Sequence, residues 1–432
     1  MTMSHTQPRR SVRRVAVVAR NLLASSVLAL GACHRPAGVA NAVGHQAAAT
    51  PVLTESDVRD RDIEFYQMRA ASDPTGAFDL ARLASLFLQR SRETGDQRDA
   101  ARAESAARRS FHNRRAHNDQ AGQVLTSSLL AQHRFDEALV IARDLRARNP
   151  DSPSLRAAVA EIEMEVGQYD SARIAFDSLW SARNDLSVVP RLARWAEIEG
   201  RPDEARRLMR HALALAQRSP WLSREQVAWF WMRAGDIEFR MGHLDAADSA
   251  YRIGLATHPD DYRVLSALSR LAAERHAWTS AIEYGNRAIA SNLDPATLGT
   301  LSDAYAATGD SVRARELAHA LDVSVRSQPG AYHRAWSLFL LDHDRRLGTV
   351  HQKIVAELRT RRDVYAYDLY AWSLHRQGRD DDALAAVHGA LAQGTQDAQL
   401  FYHAAVIERA AGQTAIAGEH LARARALNPS LQ

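Results

Sequence analysis

The stretch WMRAGDIEFRMGHLDAADSAYRIGLATHP, residues 231–259, decides how the rest of the chain is read. Its apolar residues fall at helical spacing through Trp231, Ala234, Ile237 and Phe239, and again through Leu244, Ala247, Tyr251 and Leu255. Between the two runs, Met241-Gly242-His243 supplies a tight turn, and Pro259 ends the second run. The pattern predicts two short antiparallel helices. Gly235 and Ala247 are small enough to let the two backbones approach, while Trp231 and Tyr251 fill the space around them. A single hairpin of this size cannot bury its apolar face, so it requires neighbours of the same kind.

The chain supplies them. The alanine matching Ala247 recurs as Ala138, Ala172, Ala205, Ala281, Ala314, Ala383 and Ala417, mostly at a period near 34. Turn glycines keep the same rhythm at Gly167, Gly200, Gly242, Gly309, Gly378 and Gly412, as do prolines at Pro150, Pro259, Pro295 and Pro429. The long gap from Ala314 to Ala383 hides one degenerate copy, around residues 336–358, whose small residue is not obvious. A longer interval near Ser219-Pro220-Trp221 has Ser223 and Gln226 placed to box a new helix, with Trp221 expected to cover a helix end. Before the regular copies, Thr54–Asp57 suits a helix cap, Asp73-Pro74-Thr75-Gly76 a break, and residues 81–110 a looser hairpin. Second helices open with acids, as at Asp136-Glu137, Asp203-Glu204, Asp245 and Asp380-Asp381-Asp382, which complement the helix dipole. That dipole role accounts for Asp380–Asp382 better than a metal site does.

The spacing of Trp, Gly, Ala, aromatic and Pro resembles the tetratricopeptide repeat. The resemblance implies an all-α solenoid of helix hairpins wound as a right-handed superhelix, about nine to ten repeats long over residues 51–432. In such a solenoid each repeat touches its neighbours, and first helices line a concave face. This predicts an elongated particle. In that family the concave face commonly holds peptides. The basic clamp some members use for peptide C-termini does not carry over, since the matching positions include Met232, Asp236, Ser266, Arg270, Gly299 and Asp303.

The N-terminal 32 residues have the layout of a cleaved export signal, with Arg9, Arg10, Arg13, Arg14 and Arg20 followed by a mostly apolar run, residues 22–32. Eleven residues are too few to span a bilayer as helix. Leu30-Gly31-Ala32-Cys33 resembles the lipobox of bacterial lipoproteins, a family in which the cysteine carries acyl chains; Cys33 is the only cysteine. An ordinary signal peptide with an incidental cysteine is the alternative. Residues 33–50 read as a flexible tether. These features place the protein in the cell envelope, held to a membrane by its lipid and facing the periplasm or exterior.

The formal charge of +4 does not indicate a nucleic-acid partner, because five basic residues and no acids lie in the first 32 positions. The remainder carries 50 basic against 51 acidic residues. No phosphate loop, nucleophile elbow or His-Glu-x-x-His motif is present, and the histidines are scattered. The expectation is a non-catalytic protein-binding scaffold with no cofactor and no metal, engaging a protein or peptide partner. An assembly factor or chaperone for exported proteins, or a substrate-delivery subunit of an envelope enzyme, are the alternatives. The repeat phase turns Tyr365, Asp368, Trp372, His375, Tyr402 and Arg409 towards the concave side as the partner-binding set, and Tyr370 and Phe401 into helix interfaces. Packing between helices is the competing role for Trp372 and Tyr402.

Overall fold

The computed structural model describes residues 53–326 and 334–429. The expected export signal, Cys33 and the tether lie outside the described residues. Within them the chain is all-helical, with 21 α-helices and one short 3-10 turn, 180–182. A solitary α1 (Glu55–Ser72) precedes ten hairpins. The early ones are α2 (Ala77–Thr94) with α3 (Gln97–Asn113), α4 (Asp119–Ala131) with α5 (Phe135–Arg148), and α6 (Pro153–Glu165) with α7 (Tyr169–Ser178). Then come α8 (Val189–Ile198) with α9 (Pro202–Gln217), α10 (Arg224–Arg240) with α11 (Leu244–Thr257), and α12 (Tyr262–Glu274) with α13 (Trp278–Ser291). The last four are α14 (Pro295–Ala307) with α15 (Ser311–Arg326), α16 (Arg334–Asp342) with α17 (Leu347–Glu357), α18 (Val364–His375) with α19 (Asp380–Leu391), and α20 (Ala398–Ala410) with α21 (Thr414–Leu427).

Six first helices are entered through side-chain caps, while α2, α4 and α8 have none. Ser152, Ser223, Asp261, Asp294, Asp363 and Asp397 each accept from a backbone N–H of the first turn, and Ser223 and Gln226 form the expected capping box. Second helices follow a tight turn, and among those whose caps are described only α3 has a side-chain cap. Acids in their first turns, such as Asp136, Glu137, Asp203 and Glu204, do the electrostatic work instead, at about 0.3–1 kcal/mol each.

The fourth residue of each second helix from α5 onwards is the small one that meets the first helix, and all eight recurring alanines are buried there. The Ser269 hydroxyl donates to the Ala281 carbonyl at 2.7 Å, and Ser302 to Ala314 at 3.0 Å, so the close approach is also hydrogen-bonded. In the degenerate copy the position is held by Val350, fully buried, so a β-branched residue stands where the others have alanine. A Cβ on Gly235 would sit 2.5 Å from the Tyr251 ring, which explains glycine at that site. Trp221 departs from expectation. It is 78% exposed and covers no helix end.

The array also departs from nearest-neighbour stacking. The Arg362 N–H donates to the Val166 carbonyl at 3.2 Å, and the Val364 N–H to the Tyr169 hydroxyl at 2.9 Å. Thr395 Oγ1 donates to the Ile198 carbonyl at 2.5 Å, and Arg361 pairs with Glu165 at 3.0 Å. These partners stand 195–197 residues apart, which is six hairpins. The solenoid therefore completes a turn in six repeats and its second turn lies on the first. The expected elongated particle, in which repeats touch only their neighbours, is corrected by this seam.

Candidate functional site

The turns α6/α7, α8/α9 and α10/α11 form one side of the seam, and sterics require glycine there. Gly167, Gly200 and Gly242 all have positive φ, and a Cβ on each would come within 2.1–2.4 Å of a second-turn backbone oxygen, that of Arg362, Gly394 or Leu427. Gly309, Gly378 and Gly412 occupy comparable turns with nothing near them.

Closing the spiral leaves an open-mouthed chamber of about 1070 Å³ on its concave side. Its walls are mostly first helices, as the solenoid geometry demands: Glu161 and Glu165 from α6, Arg191 and Arg194 from α8, Trp229, Phe230, Arg233, Phe239 and Arg240 from α10, and Arg270 and Glu274 from α12. The second turn adds Arg334, Arg361, Tyr365, Asp397 and the 427–429 segment. Seven guanidiniums and four aromatic rings thus face one space.

The guanidiniums are held by carboxylates behind the wall. Glu197 pairs with Arg233 and Arg240, and Asp236 with Arg233 at 2.9 Å and Arg270 at 3.0 Å, while also accepting from the Tyr251 hydroxyl at 2.8 Å. Burial alone would raise both acids. Arg240, Arg233 and Arg194 outweigh it at Glu197, and Arg233, Arg270 and Arg240 at Asp236, so both carboxyls titrate below their usual range. At Arg240 and Arg270, burial opposes the charge and the paired acids favour it. A neighbouring guanidinium, Arg194 beside Arg240 and Arg240 beside Arg270, works against it. Arg194 and Arg334 stand over the Tyr365 ring at 5.4 and 5.0 Å, and Arg270 over Phe239 at 4.7 Å.

Of the residues assigned from sequence to the concave side, Tyr365 lines this chamber. Asp368 is buried between Arg334, at 3.1 Å, and His403, at 2.8 Å. Trp372 is 4% exposed; its ring stacks on His403 at 4.2 Å and its Nε1 donates to Asp342 at 2.8 Å. The inward orientation expected of Asp368 and Trp372 is therefore corrected: both belong to the packing between α16, α18 and α20. His375 is half-buried against Asp380 at 2.6 Å and beside Trp372, Tyr402 is half-buried, and Arg409 is exposed at the end of α20. None of these three lines the chamber. Phe401 is buried and Tyr370 packs against the core, as expected.

The arginine wall was missed from sequence. Of its members only Arg270 had been singled out, as a position breaking the basic-clamp pattern. Among the described residues no group of three His, Cys, Asp or Glu side chains could hold a metal ion, and no helix is long and apolar enough to cross a membrane.

Fold and chamber together define an all-helical hairpin-repeat protein with a concave chamber. Residues 129–192, from the end of α4 into α8, match the family model described as tetratricopeptide repeat. Among solved structures, the chain is similar to the Cut9-Hcn1 hetero-tetramer of the APC/C, at 15% identity and a TM-score of 0.48, covering 86% of this chain and 64% of that one. It is also similar to PilW, a type IV pilus biogenesis factor, at 16% identity and TM-score 0.41, covering 52% of this chain and 99% of that one. A third similarity is to Pseudomonas aeruginosa PilF, at 15% and 0.39, covering 51% and 96%. No curated protein matches the chain.

Proposed function

We propose that this protein is a non-catalytic binding scaffold of the bacterial cell envelope, lipid-anchored through Cys33, which holds a protein or peptide partner inside the spiral. One observation carries the binding half of this reading: the concave chamber, walled by first helices and furnished with guanidiniums and aromatic rings. Buried aromatics and arginine are the side chains that concentrate affinity at protein interfaces. The anchor rests on the arginine-rich start, the apolar run and the single cysteine at the end of Leu30-Gly31-Ala32-Cys33.

Photo-crosslinking in intact cells tests the site. A benzophenone side chain at Tyr365 or Trp229 is expected to capture a discrete partner, whereas one at the exposed Val140 or Ile174 on second helices captures none. Capture from the second helices alone would place binding on the convex face and sink the chamber reading. The anchor is tested by labelled palmitate: wild type incorporates it, Cys33→Ser does not, and the variant leaves the membrane fraction. Failure of the wild type to incorporate label would leave the protein as an ordinary exported one.

A further inference from the structure

Resting on the chamber reading above, we infer that the occupant is an acidic peptide segment whose side-chain carboxylates sit on Arg194, Arg240 and Arg270. These three guanidiniums come from three successive first helices, α8, α10 and α12, and face the same space. The acids that neutralise them stand behind the wall, with Glu197 and Asp236 keeping only 8% and 13% of their side chains exposed. Arg194, Arg240 and Arg270 therefore present N–H donors to a chamber whose lining carboxylates are Glu161, Glu165, Glu274 and Asp397.

Donors remain to be used. Arg270 gives Nη2 to Asp236 and Tyr251, and 49% of its side chain stays open. Arg240 reaches Glu197 through Nε and Nη2. Arg194 is hydrogen-bonded to Tyr365, and its nearest carboxylate oxygens are 3.7 and 3.9 Å away, beyond hydrogen-bonding distance. The carboxylates that do line the chamber are already committed. Glu161 holds Arg191, Glu165 holds Arg361, Asp397 caps α20, and Glu274 on α12 is engaged as well. An incoming carboxylate meets a guanidinium fork suited to bidentate pairing, while an incoming ammonium meets like charge.

The size favours a chain over a small anion. At about 1070 Å³ the chamber lies above the roughly 300–1,000 Å³ typical of small-molecule pockets. Trp229 gives an apolar surface between the charges, which a peptide with mixed side chains would use and a simple anion would not.

The test uses the full chain in detergent and fluorescein-labelled decapeptides of alternating Glu-Leu, Lys-Leu and Ser-Leu, followed by anisotropy at low and moderate salt. Glu-Leu is expected to bind at least tenfold tighter than Ser-Leu, to weaken as salt rises, and to lose about tenfold in Arg270→Gln, a half-exposed site whose change leaves the melting transition in place. Preference for Ser-Leu or Lys-Leu, abolished by Trp229→Ala or Tyr365→Ala, would overturn the acidic occupant and leave the chamber as the binding site. Binding of free glutamate or inorganic phosphate as tight as Glu-Leu would overturn the peptide assignment in favour of a small anion. Absence of binding by every peptide, or binding indifferent to all chamber substitutions, would overturn the inference and the chamber reading together.

Discussion

Trp372 shows how one residue's role turns on what lies behind its helix. The ring is clamped by His403 on one face, by Arg376 at 5.5 Å, and by the Nε1 bond to Asp342. Trp372→Ala should therefore cost about 3–5 kcal/mol, as much as Phe401→Ala, because each empties a packed site. Urea unfolding of the two variants checks this; a Trp372→Ala protein as stable as wild type would mean the indole is not part of the core. A signal for this was present in the sequence. The α18 segment, VYAYDLYAWSLH, carries apolar residues around most of its circumference, so most of its side chains are covered and only one edge can face a groove. Ala247 is the opposite case: its small size and spacing identified a buried contact, and the side chain is fully buried. Ala247→Leu should lower stability by about 1–3 kcal/mol through overpacking, read as a fall in Tm.

At the scale of the helical hairpin, the repeat depends on a left-handed residue just after each first helix. Six copies use glycine. The other three regular copies put His133, His276 and Asp344 there, at φ 53–55°. Asp and His are among the residues that tolerate this region, so the turn survives without the marker that a glycine count relies on. The period was legible because alanine and glycine kept it independently, and the copy around α16 and α17 was obscured because Val350 and Asp344 replaced both markers at once. A comparison of two glycines separates turn strain from seam packing. Gly378→Ala pays only the left-handed strain, about 1–2 kcal/mol. Gly167→Ala should cost distinctly more, because its Cβ lands 2.3 Å from the Arg362 carbonyl oxygen. It should also speed exchange of the Arg362 amide hydrogen. Equal costs and unchanged exchange would mean that the seam is not formed in solution.

For the whole solenoid, closure follows from the small rotation between successive repeats, summed over six of them. No residue type encodes that sum, which is why the seam and the chamber were not legible while the individual hairpins were. Stacking of α8, α10 and α12 places Glu197 and Asp236 among arginines, and their depressed carboxyl pKa values have a consequence for acid stability. A group depressed in the folded state stabilises it above its unfolded value, near pH 4, and that stability disappears as pH falls through the folded value. The chamber wall should therefore loosen below about pH 4. Near-UV dichroism of the α10 tryptophans should fall there before helical content does, and Asp236→Asn should remove part of this acid dependence.

The most direct measurement is the distance between spin labels placed at Asp170 and Arg362 in a Cys33→Ser background. Both residues are exposed and flank the Val166–Arg362 and Tyr169–Val364 bonds. The closed spiral predicts a single short distance, that of two labels facing each other across one hydrogen-bonded seam. An open solenoid would separate the same labels by six stacked hairpins, tens of ångströms at roughly 8–10 Å per helix layer. A long or broad distribution would contradict the closed spiral and its chamber.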